Sequence, residues 1–66
     1  MELKTKVFEL AKGRFKNLAD LAEAMDLSIS QVYRVKKGER GVNESFIIGA
    51  KRAFPELTLD DLFYIE

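Results

Sequence analysis

The sequence predicts an all-α protein, a compact bundle of about five helices, and two observations support that fold class. Apolar residues recur at helical spacing in five successive segments, which is the periodicity of helices that bury one face. Four of the segments also begin at a residue suited to a helix N-cap, namely Asn17, Ser28, Asn43 and Thr58. A chain of 66 residues is the length of one small domain, so we expect residues 1–66 to share a single core.

The first two helices follow from the spacing of apolar residues in the N-terminal third. A helix is predicted over residues 3–13, and Gly13 ends it. Its buried face would carry Leu3, Val7, Leu10 and Ala11. Asn17 then caps a second helix, whose buried face would carry Leu18, Leu21, Ala22 and Met25. Asp26 follows where the chain must turn, and Asp tolerates the left-handed backbone that ends many helices.

The third helix is predicted over residues 28–37, with Ser28 as its cap and Gly38 as the glycine that ends it. Val32 and Val35 lie three residues apart, which makes a thin buried stripe. The rest of the helix should therefore face solvent. These residues mix apolar, hydroxyl, aromatic and cationic groups: Ile29, Ser30, Tyr33, Arg34 and Lys37.

Two further helices are predicted in the C-terminal third. Asn43 caps the fourth helix, which ends before Pro55. Its core residues would be Phe46, Ile47, Ala50, Ala53 and Phe54. Thr58 caps a short last helix, with Asp60 and Asp61 in its first turn as the helix dipole favours. The residues expected to close the bundle are Leu57, Leu59, Leu62 and Phe63.

The segment from Asn17 to Gly38 resembles the helix-turn-helix of the phage repressor and Cro family, also called the XRE family. The residues that carry the resemblance are Leu21, Ala22, Leu27, Ser28, Val32, Val35 and Gly38. It continues through the sequence LTLDDLF near the C-terminus. The resemblance implies a single helix-turn-helix domain with a lambda-repressor-like fold. Lys36 departs from the family, which commonly has an acid there, and adds positive charge beside the motif.

The resemblance also implies a function, that of a sequence-specific DNA-binding transcription regulator, usually a repressor, whose second motif helix lies in the major groove of duplex DNA. In that groove Arg pairs with guanine, apolar groups contact thymine methyls and hydroxyls bond base edges. We therefore predict base contacts by Ile29, Ser30, Tyr33 and Arg34. Phosphate contacts position a protein without specifying sequence. The predicted phosphate contacts are Arg14, Lys16, Asn17, Ser28, Lys37, Arg40 and Asn43.

The composition argues against other classes of function. The chain contains no cysteine and no histidine, so disulfides and the usual zinc ligand sets are excluded. The serines have no candidate base nearby in the sequence, and we expect neither catalysis nor a cofactor or metal ion. No small-molecule ligand is evident. No apolar run approaches the ~20 residues that span a membrane and no signal peptide is found, so we expect a cytoplasmic protein with no membrane partner.

The charges are balanced in number but unevenly distributed. Eleven basic and eleven acidic residues give a net charge of zero. Residues 1–16 carry five basic and two acidic groups, whereas residues 55–66 carry four acids and no base. Such polarity suits a DNA contact at one end of the molecule. Charged segments also occur simply because they solvate a surface, so the distribution alone does not identify DNA as the partner.

Three apolar residues, Ile48, Tyr64 and Ile65, are left over from the predicted core. For Tyr64 and Ile65, a tail folded back on the core and a self-association patch are equally good explanations, while Ile48 falls off the apolar stripe of the fourth helix. The resemblance implies dimerisation through the C-terminal region, so we predict a homodimer with these three residues at its interface. The same residues and the neutral charge also suit a helical protein-interaction module or an antitoxin-like protein, and the sequence leaves that alternative open.

Overall fold

Five helices and one two-stranded antiparallel sheet form the structure, a computed structural model that describes residues 1–66. The elements in chain order are β1 Leu3–Thr5, α1 Val7–Ala11, α2 Leu18–Met25, α3 Ile29–Lys37, α4 Glu44–Ala53, α5 Leu59–Leu62 and β2 Phe63–Ile65. The chain is therefore a small α+β protein. The prediction of an all-α bundle was wrong, because the two ends of the chain pair as strands.

The sheet joins the N-terminal and C-terminal segments. In the β1–β2 register Leu3 lies opposite Ile65, Lys4 opposite Tyr64 and Thr5 opposite Phe63. Backbone bonds continue one residue beyond the strands, since the Glu2 N–H donates to the Glu66 carbonyl at 2.7 Å and the Glu66 N–H donates to the Glu2 carbonyl at 3.0 Å. These bonds connect residues at opposite ends of the chain, so no local sequence pattern reports them.

The helix predicted over residues 3–13 was wrong in its first half, where β1 forms and only the short α1 follows. Thr5 separates the two elements. Its Oγ1 accepts the backbone N–H of Val7 at 3.1 Å and donates to the carbonyl of Leu62 at 3.1 Å. A threonine that bonds the backbone in this way competes with helix formation. Leu3 lies in the sheet as a result, although its spacing from Val7 fits a helix.

The predicted C-terminal tail is β2. Phe63, Tyr64 and Ile65 are aromatic or β-branched, and such residues are enriched in strands. This run of three was the one local signal for a strand. It is too short to outweigh the helical spacing of Leu59, Leu62 and Phe63, from which Phe63 was expected to help close a helical bundle.

All four predicted N-caps are confirmed. In each one the side-chain oxygen accepts the backbone N–H three residues further on, at 2.9 Å for Asn17 and Asn43 and at 3.2 Å for Ser28 and Thr58. Ser28 and Thr58 also form capping boxes, in which the third residue of the helix bonds back to the cap. Each cap satisfies a donor that the helix leaves free, which typically contributes about 1 kcal/mol.

Two residues adopt the left-handed backbone that the sequence predicts for them. Asp26 has φ 58° and ψ 41°, and Gly38 has φ 82° and ψ 8°. Both end a helix by donating their N–H to carbonyls of the preceding turn. Because Asp26 reverses the chain at once, only residues 26–28 separate α2 from α3.

Twelve apolar side chains form the core, and every element except β1 contributes to it. They are Val7, Ala11, Leu21, Ala22, Met25, Val32, Phe46, Ala50, Ala53, Phe54, Leu62 and Phe63. The prediction that Leu59 helps to close the core was wrong, because its side chain is 53% exposed. α3 contributes a single fully buried residue, Val32, so the other helices supply most of the apolar burial.

α4 packs against α2 so closely at Gly49 that no larger residue fits. A Cβ atom on Gly49 would lie 2.8 Å from the carbonyl oxygen of Met25, 3.0 Å from its Cβ and 3.3 Å from Cδ1 of Leu27. The first of these distances is shorter than real Cβ contacts allow, and its partner is backbone that cannot rotate away. Glycine at this position therefore permits the backbone contact between the two helices.

Replacing Gly49 by alanine should destabilise the protein, even though alanine favours helices. The added methyl group would push α2 and α4 apart, and overpacking of this kind costs roughly 1–3 kcal/mol against a propensity gain of about 1 kcal/mol. We expect Gly49→Ala to lower the free energy of unfolding in urea by up to about 2 kcal/mol. Gly13→Ala is the matched control, since no atom lies within 4 Å of a Cβ there. Equal effects of the two substitutions would contradict the close contact.

Candidate nucleic-acid interface

α3 exposes most of its surface to solvent. Val32 is fully buried and Val35 is half-buried, and the remaining seven residues of the helix are exposed. Ile29 and Tyr33 are 50% and 49% exposed despite their apolar side chains. Residues four positions apart lie on the same face of a helix, so Ile29 aligns with Tyr33 and Ser30 with Arg34, in two neighbouring rows. The four predicted base contacts, Ile29, Ser30, Tyr33 and Arg34, therefore form one exposed stripe.

The short turn and α2 hold this stripe in a defined direction. Val32 shares the core with the buried residues of α2, and Leu27 of the turn packs against that core. The Asp26 carboxylate accepts a hydrogen bond from Arg52 of α4 at 2.8 Å, which links the turn to a third helix. That ion pair is exposed and contributes little stability. The buried contacts of Val32 and Leu27 are what orient α3.

The last turn of α3 is strongly basic, with Arg34, Lys36 and Lys37. Cations at this end of a helix are stabilised by its dipole. The Lys37 Nζ atom lies 3.0 Å from the Glu39 carboxylate and 5.3 Å from the centre of the Tyr33 ring. Arg34 and Lys36 make no ion pair with the rest of the chain. Their charges are available to an anionic partner.

Two pairs of predicted phosphate contacts lie on either side of α3. Lys16 and Asn17 line a groove together with Lys36, so the start of α2 is next to the last turn of α3. Arg40 and Asn43 line a small cavity with residues from the middle of α3. Lys16 and Arg40 are exposed and make no ion pair. The oxygens of Asn17 and Asn43 serve as caps, which leaves both amide NH₂ groups free to donate.

Two other predicted phosphate contacts are engaged within the fold. Both terminal nitrogens of Arg14 bond the Glu56 carboxylate, one of them also donates to a carbonyl at the end of α4 at 3.1 Å, and the guanidinium lies 4.7 Å over the Phe54 ring. The Ser28 hydroxyl accepts the N–H of Gln31 and donates to its side-chain oxygen at 3.0 Å. Most of the donors that a phosphate would need are occupied, so we assign structural roles to Arg14 and Ser28.

The contact between Arg14 and Glu56 alters the pKa of both groups. Hydrogen bonds from the guanidinium hold the pKa of the Glu56 carboxyl below its ordinary value, and the same bonds raise the pKa of Arg14. The two side chains are 39% and 50% exposed, so water weakens the pair. It nevertheless ties the linker between α1 and α2 to the segment that follows α4.

The three residues predicted for self-association are all exposed, at 49% for Ile48, 39% for Tyr64 and 65% for Ile65. The structure brings Tyr64 and Ile65 together with Leu3 and Leu59 in an apolar groove of about 300 Å³. Ile48 does not line this groove. Sequence reasoning missed Leu3 and Leu59 because it placed both in the core. The strand pairing that moves Leu3 next to Ile65 has no local signal.

Comparison with family models, curated proteins and solved structures finds no match for the chain. No group of three or more His, Cys, Asp or Glu side chains has the arrangement of a metal site. None of the helices has the length and apolar character needed to cross a bilayer. The exposed stripe of α3 and the polar groups around it are therefore the features that indicate a function.

The Arg14–Glu56 pair makes a prediction about stability in acid. Since the pKa of Glu56 is lower in the folded protein than in the unfolded chain, the pair stabilises the fold fully at neutral pH. That stabilisation is lost as the pH falls below about 5 and the carboxyl becomes protonated. Glu56→Gln should therefore lower the melting temperature more at pH 7 than at pH 3, as measured by circular dichroism. Glu23→Gln removes a carboxylate without an ion pair and serves as the control. An equal effect of Glu56→Gln at both pH values would contradict the prediction.

Proposed function

We propose that the protein is a sequence-specific DNA-binding transcription regulator that inserts α3 into the major groove and acts as a repressor. The observation that supports this most directly is the exposed stripe of α3. Ile29 and Tyr33 leave apolar surface in water, and Arg34 next to them has no ion-pair partner. A helix that combines these features and is held firmly by its buried side is suited to a polar partner surface that also offers methyl groups.

The major groove of B-DNA provides such a surface. It is about 12 Å wide, admits one α-helix and displays a distinct pattern of donors, acceptors and thymine methyls for each base pair. In the proposed complex Arg34 donates two hydrogen bonds to a guanine, and Ile29 contacts a thymine methyl. The hydroxyls of Ser30 and Tyr33 bond base edges on either side.

Phosphate contacts on both sides of α3 would set its depth and register in the groove. Lys16 and Asn17 act at the start of α2, and Lys37, Arg40 and Asn43 act at the opposite side. The free N–H groups at the starts of α2 and α4 add partial positive charge next to two of these residues. Lys37 would exchange its contact with Glu39 for a phosphate.

We further propose that the protein binds DNA as a homodimer. Its two recognition helices would then reach an inverted repeat with half-sites about 34 Å apart, and occupancy of such a site blocks polymerase. The resemblance to phage repressors supports this arrangement. The apolar groove around Tyr64 and Ile65 supplies a self-association surface, to which Ile48 adds a further exposed apolar residue.

Binding of duplex DNA should weaken steeply with added salt, because each protein cation at a phosphate releases counterions. The three assigned cations, Lys16, Lys37 and Arg40, predict that log K falls with log salt concentration at a slope of about −3 per protomer. Fluorescence anisotropy of a labelled duplex measures this slope. Lys16→Gln should reduce its magnitude by about 1, whereas Lys4→Gln, which changes a cation of β1, should not alter it. A slope near zero would contradict the proposal.

Two substitutions in α3 separate base reading from phosphate contact. Arg34→Ala should cost roughly 1–3 kcal/mol on a preferred duplex and relax selectivity at one base pair, because a bidentate guanine contact is lost. Lys37→Ala should weaken preferred and scrambled duplexes by the same factor. Competition binding with both duplexes measures the two effects. If Arg34→Ala weakened preferred and scrambled DNA equally, Arg34 would not read a base.

A second function is favoured by the apolar groove alone. Leu3, Leu59 and Ile65 are exposed at its edge, and such a patch on a small protein often marks a contact with another protein. The chain would then be a helical protein-interaction module or an antitoxin-like protein. Salt distinguishes the two functions, because an apolar contact hardly weakens over the range in which phosphate contacts fail.

A further inference from the structure

A second groove, of about 410 Å³, lies between α1, the start of α2 and the last turn of α3. Its floor is apolar and consists of Phe8, Ala11, Phe15, Leu18 and Leu21. Three of these side chains, Phe8, Phe15 and Leu18, are only half-buried, so part of their apolar surface faces the groove. Small organic ligands bind in concave, mostly apolar sites of roughly 300–1,000 Å³. The volume and lining of this groove fit that description.

The rim of the groove is positively charged. Lys12 and Lys16 line it from the linker between α1 and α2 and Lys36 from α3, and none of them makes an ion pair. Glu9 is the single carboxylate at the rim. Three unpaired cations around an apolar floor are complementary to a ligand with an apolar body and a negative head group.

The other apolar groove, around Leu3 and Ile65, provides a comparison within the same molecule. It is also lined mostly by apolar residues, but its one charged residue is Asp60. An uncharged apolar ligand has no electrostatic reason to prefer either groove, whereas an organic anion should prefer the groove with the lysines. The lysines therefore favour binding of an organic anion, and they favour it in this groove over the groove that contains Asp60.

We propose that the lysine-rimmed groove binds a small organic anion, an aromatic or aliphatic body with a carboxylate or sulfonate head group, and that bound anion and bound DNA exclude each other. The second part rests on the proposed function. Lys16 and Asn17 line the groove and are also assigned to the DNA backbone, so both ligands compete for the same groups. An anion in the groove would therefore release the protein from DNA.

Two fluorescent probes test the first part directly. 1-Anilinonaphthalene-8-sulfonate has an apolar body and a sulfonate, and N-phenyl-1-naphthylamine is the same body without the charge. The sulfonate should bind the full-length protein at one site and shift the amide signals of residues 8–21 and 36 in ¹⁵N–¹H spectra that stay well dispersed. Lys12→Gln combined with Lys36→Gln should weaken the sulfonate about fivefold, as expected for loss of charge-assisted contacts, and leave the neutral probe unchanged.

Lys6→Gln is the matched control, because Lys6 lies over the ring of Tyr64 and does not line the groove. It should not affect either probe. Shifts centred on residues 3, 59 and 65 would place the anion in the other groove and overturn the proposal. Equal weakening of both probes by the lysine substitutions, or no weakening of the sulfonate, would overturn it as well.

A competition experiment tests the second part. Adding the sulfonate to a protein–duplex complex should lower the anisotropy of the labelled duplex, and the double lysine variant should need about fivefold more probe. If the duplex binds but the sulfonate does not displace it, mutual exclusion is wrong. If the duplex does not bind at all, the proposed function fails, while the probe experiments on the free protein still decide whether the groove binds an anion.

Discussion

The backbone contact between α2 and α4 at Gly49 determines how the rest of the molecule is arranged. Because no side chain separates the helices there, Met25 and Ala50 are both sealed from water and the large rings of Phe46 and Phe54 complete the core. The core is filled with little help from α3, which buries Val32 alone. Because only Val32 of α3 is fully buried in the core, the rest of the helix surface can contact a partner.

Polar side chains divide into those that hold the fold together and those that remain available. The caps, the Ser28 hydroxyl and the guanidinium of Arg14 have their bonding groups occupied within the chain. Arg34, Lys36 and Arg40 have no ion pair, and all three lie in or next to α3. A protein with no net charge can still offer a positive surface in this way, because none of its carboxylates lies within ion-pair distance of these three cations.

The helical part of the fold could be predicted from the sequence because its signals are local. A cap such as Asn17 acts on an N–H three residues away, and the left-handed turn at Asp26 involves only its own backbone and the preceding turn. The sheet could not be predicted in this way. Its bonds join Glu2 to Glu66, and the helical spacing of Leu59, Leu62 and Phe63 outweighed the weak strand signal of residues 63–65.

The candidate site was predictable to the same extent. Exposure of the α3 stripe follows from its thin apolar pattern, so Ile29 and Tyr33 could be assigned to the surface in advance. Contacts with residues that are distant in the sequence could not be predicted. Nothing near Arg14 in the sequence indicates that Glu56 will occupy it, and nothing near Lys12 indicates that Lys36 will share its groove. Gly49 illustrates the same limit. A glycine within a helix suggests that another segment packs closely against it, but it does not show that this segment contains Met25.

Selection of binding sites from a random duplex library would show whether the exposed stripe of α3 reads DNA sequence. The full-length protein would be incubated with the library, and bound duplexes recovered at low and at moderate salt over several rounds. We expect enrichment of an inverted repeat, with half-sites about one helical turn apart, that survives the higher salt. Recovery of unselected sequences that disappear with added salt would contradict it, because that result would show attraction to phosphates without base reading.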